Sequence, residues 1–212
     1  MNTEKAYSEI SKISGKTFKE LGLTDDQINK GGTGQNLLLQ IGLTLTSDLL
    51  DTTDGEIKST MFVKNKPKET VWVTQLQYIL EEIVSNIEWE KCSLFKKLHR
   101  TIYVPVHKDS KNPLDWFYGV PVLLEHTKSS MLSDGLKEDY EFISSEIRTI
   151  IKNKERIHTI SGPNSFLQIR TKASKSGTTG KYTPMMYMGH QLADKYYAFY
   201  LRKEFLHKIF VN

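Results

Sequence analysis

The chain has a single cysteine, Cys92, among its 212 residues, so no internal disulfide can form and no paired thiols can hold zinc. That usage fits a reducing compartment, and the cytoplasm is the expected location. Cys92 itself reads as a small buried apolar residue. No apolar run approaches the roughly 18 residues that a membrane helix requires. The opening "MNTEKAYSEISKISGK" alternates charge with isolated apolar residues and lacks the apolar core of a secretory signal. Internal repeats, low-complexity tracts and long Pro/Gly/Ser linkers are absent too, so nothing divides the sequence into separately folding halves. One compact domain over residues 1–212 is the expectation, long enough to bury a real core.

Several catalytic signatures are also missing. "GKTFKELG", at residues 15 to 22, resembles a phosphate-binding loop only in part, because Ile10 stands where the partner glycine is needed. The six histidines show no helix-face pairing of the kind that binds zinc. No G-x-S-x-G nucleophile elbow occurs.

What is present is a mildly basic balance, with a formal charge of +4, which suits a polyanionic partner without demanding one. The pattern is that of an α/β chain, a mixed (α+β) sheet flanked by helices. "KGGTGQ" opens "NLLLQIGL", which reads as a short helix from near Gly34. "GEIKSTMFV" alternates as a strand does. Residues 74 to 88 carry Leu76, Ile79, Leu80, Ile83, Val84 and Ile87 at helical spacing and predict an amphipathic helix. "RTIYVPV" and "DWFYGVPVLL" predict two neighbouring strands, and the proline in each suggests a strand end or an edge. A long helix follows through Leu136, Tyr140, Ile143, Ile147 and Ile150, ending in the cationic "KNKER". "SFLQIRTKA" and "YYAFYL" read as strands separated by a polar loop, and "RKEFLHKIF" as a closing helix.

The stretch with most chemistry is "DLLDTTDGEIKST", residues 48 to 60. On a strand Glu56 and Lys58 share a face while Ile57 turns the other way. Glu56, a second carboxylate from just upstream and the carbonyl of Ile57 would form a hard oxygen site suited to Mg²⁺. Such a set can hydrolyse a phosphodiester: the metal makes hydroxide available near neutral pH, and the lysine orients the water or stabilises developing charge. A solvated hairpin rim would use the same residue types. "LQIRTKASKSGTTGK" gathers Arg170, Lys172, Lys175 and Lys181 with glycine and hydroxyl residues, as phosphate-clamping surfaces do and as solvated basic loops also do.

Taken together, these stretches resemble the MutH-like endonucleases. "GKTFKELG", "KGGTGQNLLLQIG", "DLLDTTDGEIKST", "KKLHRTIYVPV", "KEDYEFI", "SFLQIRTKA" and "AFYLRKEF" follow one another in the family's order. The resemblance implies a restriction-endonuclease-like PD-(D/E)xK core in a two-lobed clamp around double-stranded DNA. The lobe with the catalytic acids would span roughly residues 1–110, and the recognition lobe roughly 111–212. It implies catalytic roles for Asp48, Glu56, Lys58 and Lys97, and Mg²⁺ held by Asp48, Glu56 and the Ile57 carbonyl. Lys30, Arg170, Lys172 and Tyr200 would contact DNA, with Tyr200 near the adenine whose methylation is sensed. Spacing leaves two possibilities for the first acid, Asp48 behind a bulge or Asp51, and Asp48 is the better match. The family's first helix supplies a glutamate near the metal, where this sequence has Leu38.

The implied activity is sequence-specific cleavage of duplex DNA at GATC or a related short site, in a restriction system with a cognate methyltransferase. The alternatives are a MutL-activated mismatch-repair nickase and a catalytically silent DNA-binding module. The intact Glu56-x-Lys58 argues against the last.

Overall fold

The alternation in "GEIKSTMFV" becomes a strand, β1 (Glu56–Val63), in the computed structural model, which describes residues 2–31, 37–38, 54–172 and 182–211. The chain forms two compact units interleaved in sequence: Met1–Val71, Lys97–Thr127 and Leu206–Asn212 make the first, and Trp72–Lys96 with Lys128–Phe205 the second.

In the first unit, α1 (Thr3–Ser11) starts at the N-cap Asn2, whose side chain accepts a hydrogen bond from Lys5 N–H at 3.0 Å. α2 (Asp25–Gly31) is entered through a reciprocal cap in which Gln27 Oε1 accepts from Thr24 N–H and Thr24 Oγ1 accepts from Gln27 N–H. β1 pairs antiparallel with β2 (Lys66–Pro67) and parallel with β4 (Arg100–His107), and β4 also carries β5 (Phe117–Tyr118) and β6 (Val122–Glu125), both antiparallel. The result is a mixed sheet. One face, with Ile57, Ile102, Val104 and Val106, packs against Ala6, Ile10 and Phe18. Leu37 and Leu38 are helical and belong to that same core; the rest of the glycine-led segment lies outside the described residues.

Two strand expectations need correcting here. "DWFYGVPVLL" forms two strands rather than one, β5 and β6, interrupted at Gly119 to Pro121. Pro105 lies inside the central strand β4, not at an edge or end. Its carbonyl accepts from Gly119 N–H at 2.8 Å, so its missing N–H points to the gap between β5 and β6, where no ladder partner is needed.

The second unit has a sheet of order β3–β11–β8–β7, made of β3 (Val71–Gln75), β11 (Tyr197–Leu201), β8 (Leu167–Thr171) and β7 (Ile160–Ser161). The predicted helix over 74–88 is shorter: residues 71–75 are β3, Leu76–Tyr78 form a single 3₁₀ turn, and only α3 (Leu80–Val84) is α-helical. Asn86, at φ 53°, ends it. α4 (Ser93–Leu98) then leads into β4. The long helix is α5 (Met131–Lys152), capped by Ser130, and Leu136, Tyr140, Ile143, Ile147 and Ile150 are all buried as their spacing predicts. Cys92 is fully buried, and burial pushes its thiol up. The closing helix is α6 (Lys203–Val211).

Buried Asp139 on α5 organises the approach to β8. Its carboxylate accepts backbone N–H groups from Asn164 at 2.7 Å, Phe166 at 2.6 Å and Leu167 at 2.8 Å. The segment "MMYMGHQLA" forms a hairpin of β9 (Met185–Tyr187) and β10 (His190–Ala193), where the sequence predicts no strand. Its turn at Met188 and Gly189, with φ 45° and 77°, has the positive dihedrals that match strand twist.

Candidate active site and recognition strand

β1 brings Glu56 and Lys58 to one face, as the period of a strand requires, and they form an ion pair between Lys58 Nζ and Glu56 Oε2. Lys97, at the end of α4, places Nζ 3.3 Å from the other oxygen, Oε1. One carboxylate thus holds two ammonium groups of different exposure, since the Lys58 side chain is 8% exposed and that of Lys97 40%. Parallel pairing sets Thr101 beside Glu56 and Tyr103 beside Lys58. Tyr103 is fully buried, and its phenol is pushed up by burial and by the charge of Glu56. It stands beside Lys58 on the neighbouring strand, a neighbour that only strand pairing supplies.

Backbone direction places the Ile57 carbonyl. Phe62 O accepts from Lys108 N–H on the β4 side, whereas Met61 O accepts from Lys68 N–H on the opposite side. Alternation along the strand then turns the carbonyl of Ile57, which shares the parity of Met61, away from β4. Among the described residues β2 pairs with that edge at Phe62 and Val63, and Ile57 itself is buried. A carboxylate and a backbone carbonyl are the hard oxygens that Mg²⁺ prefers.

The proposed first acids, Asp48 and Asp51, lie outside the described residues. Among the described residues no three His, Cys, Asp or Glu side chains converge. Leu38, at the family's glutamate position, is 2% exposed and packs in the core with Ile57. Asp54, the aspartate nearest Glu56, accepts hydrogen bonds from Thr3 and pairs with Arg100.

The second unit presents a different chemistry. Along β8 Leu167 and Ile169 are buried, while Arg170 is exposed. Arg170 lies over the Tyr200 ring of neighbouring β11, 4.3 Å from its centroid. Lys172 Nζ lies 3.8 Å from the centroid of the Trp72 ring on β3. Burial pulls the Lys172 ammonium down and pushes the Tyr200 phenol up, the latter against the opposing effect of Arg170. Arg170, Lys172 and Tyr200 are therefore assembled on one sheet as cation and aromatic pairs. Trp72 joins them unforeseen, although the alternation of "VWVTQ" sets it on the face opposite Val71 and Val73. Lys30 lies in α2. No helix of the described residues is long and apolar enough to cross a membrane.

The mixed sheet flanked by helices is that of a restriction-endonuclease-like fold, the class to which the matching family of DNA nucleases belongs. The family model described as DNA mismatch repair enzyme MutH matches residues 40–155, over half of the chain, and the chain belongs to that family. The matched span holds β1, Lys97 and β4 and ends shortly after α5, before β8. No curated protein sequence matches the chain.

Proposed function

We propose that this protein is a Mg²⁺-dependent, sequence-specific DNA endonuclease of the type II restriction kind, cutting both strands of duplex DNA at GATC or a related short site in the cytoplasm. The observation that carries this reading is the convergence of Lys58 and Lys97 on Glu56. The Glu56 carboxylate is a hard oxygen donor of the kind Mg²⁺ prefers, and the two lysines beside it supply charge for a phosphate. Glu56 and the Ile57 carbonyl would hold Mg²⁺, with Asp48 as the third donor. When bound, the ion would supply Lewis acidity at the scissile phosphate.

The chain's own groups then divide the remaining work. Lys58, largely buried, orients the attacking water and stabilises negative charge where it develops. The more exposed Lys97 holds a phosphate oxygen. Arg170 forks onto guanine N7 and O6, Tyr200 lies against the adenine edge where a methyl group would be felt, and Lys30 and Lys172 neutralise backbone phosphates. The β9–β10 hairpin falls between β8 and β11 in the chain, in the stretch where the sequence departs from the repair enzymes it resembles, and this favours restriction over repair. A second reading, a MutL-activated nickase of the unmethylated strand, is favoured by the mismatch-repair description of the matching family.

Digestion of unmethylated and adenine-methylated plasmid by the purified protein with Mg²⁺, followed by sequencing of the ends, tests this. Discrete double-strand cuts at one short site are expected without any partner protein, and protection of methylated DNA would match a restriction system with its methyltransferase. Cutting of a single strand that appears only on addition of MutL would establish the nickase instead. DNA binding without cleavage under either condition would identify a silent binding module.

A further inference from the structure

Asp54 stands two residues before Glu56, and both of its carboxylate oxygens are taken by the protein itself. Oδ1 accepts from the backbone N–H of Thr3 at 3.0 Å and from its hydroxyl at 2.7 Å. Oδ2 accepts from Arg100 Nη1 at 2.7 Å. Arg100 also bonds Glu4 on α1 and forms an ion pair with Glu125 on β6, whose Oε1 lies 3.1 Å from Nε. Gly55 is pressed into the same junction: a Cβ there would lie 2.5 Å from the Arg100 carbonyl oxygen and 2.7 Å from Thr3 Oγ1.

The place matters because Glu56 is the first residue of β1 and the first rung of the ladder with β4. Strand ends open most readily. Arg100 immediately precedes Thr101, the partner of Glu56, and follows closely on Lys97 in the chain. One guanidinium therefore ties down the approach to Glu56 and the approach to Lys97 together. We propose that Asp54, with Thr3 and Arg100, is a positioning residue that locks the entry of β1 so that Glu56 faces Lys97, and that it is not a metal ligand. The kinetic consequence rests on the nuclease reading above, and the structural one on geometry alone. Misplacement of a reacting group by about 1 Å can cost on the order of 10²-fold in rate.

The test combines two readouts on Asp54→Ala, Asp54→Asn and Thr3→Val, each checked for folding by thermal unfolding. Amide hydrogen exchange should speed up in residues 56–59 of Asp54→Ala while amides of α5 keep their protection. The value of kcat for cleavage should fall by roughly 10- to 100-fold, with Mg²⁺-free DNA affinity unchanged and smaller losses in the other two variants. Unchanged exchange in β1 would overturn the proposal. So would a kcat restored by saturating Mg²⁺, since that would make Asp54 a ligand. If wild-type protein binds DNA but never cuts it, the nuclease reading fails, and the exchange readout alone decides the clamp. Should Asp54→Ala fail to fold, Asp54→Asn and Thr3→Val carry the same two measurements.

Discussion

Lys97 Nζ stands 3.3 Å from Glu56 Oε1 although 41 residues separate the two in the chain. Lys58, two residues away, takes the other oxygen from a largely buried position. The two lysines share one counter-charge but not one environment. Removing that charge takes a carboxylate from a buried ammonium in one case and from an accessible one in the other.

Glu56→Gln should therefore cost about 1–3 kcal/mol of stability, because Lys58 loses its carboxylate partner in a desolvated position. Lys97→Ala should stay within about 0.5 kcal/mol, its side chain being 40% exposed. Urea unfolding measures both. Under the proposed function each variant, like Lys58→Ala, loses cleavage and keeps Mg²⁺-free DNA binding. Near-normal cutting by Glu56→Gln would show that the catalytic centre lies elsewhere.

On the second sheet, Arg170→Ala should lose about 1–3 kcal/mol of discrimination at one guanine, and Lys172→Ala should weaken binding equally on all sequences while lowering the salt slope by about one. Competition binding of site-bearing and scrambled duplexes at several salt concentrations separates the two. A uniform loss for Arg170→Ala would make it a phosphate contact rather than a base reader.

Asp139 is fully buried and holds three backbone N–H groups at the entrance to β8. Asp139→Ala leaves those donors without the carboxylate and should destabilise the protein by at least about 2 kcal/mol. Because β8 carries Arg170, the variant should also lose sequence preference at temperatures where it is still folded. Calorimetry and the same competition assay check this, and an unaltered melting temperature would contradict it.

Burial pulls the His126 imidazole down to about 4, with neighbouring His99 adding to the effect. An unfolded histidine titrates near 6.5, so between those values the unfolded chain takes up a proton that the folded chain refuses. Stability should be at its full value above pH 6.5 and fall as pH drops towards 4, by roughly 3 kcal/mol in all. Denaturant unfolding between pH 7 and pH 4.5 should show a shallower decline for His126→Gln than for wild type. Equal slopes would exclude His126 as the source.

The chain's order of residues determined much of this protein without help. Period-two alternation put Glu56 and Lys58 on one face of β1, and three- to four-residue spacing put Leu136 through Ile150 on the buried face of α5. "SFLQIRTKA" read as a strand and forms β8. Helical spacing in residues 74–88 misled, because β3 draws the first of them into a sheet and Asn86 ends the helix early.

What only the tertiary structure decided is which distant residues meet. Parallel pairing of β1 with β4 delivers Lys97 to Glu56 and sets Tyr103 beside Lys58. The gap between β5 and β6 lets Pro105 sit inside a central strand. The order β3–β11–β8 carries Trp72 to Lys172, and the packing of α1 turns Asp54 towards Thr3 and Arg100. Such pairings depend on strand order and register across long separations, and neither is written in the local period of the chain.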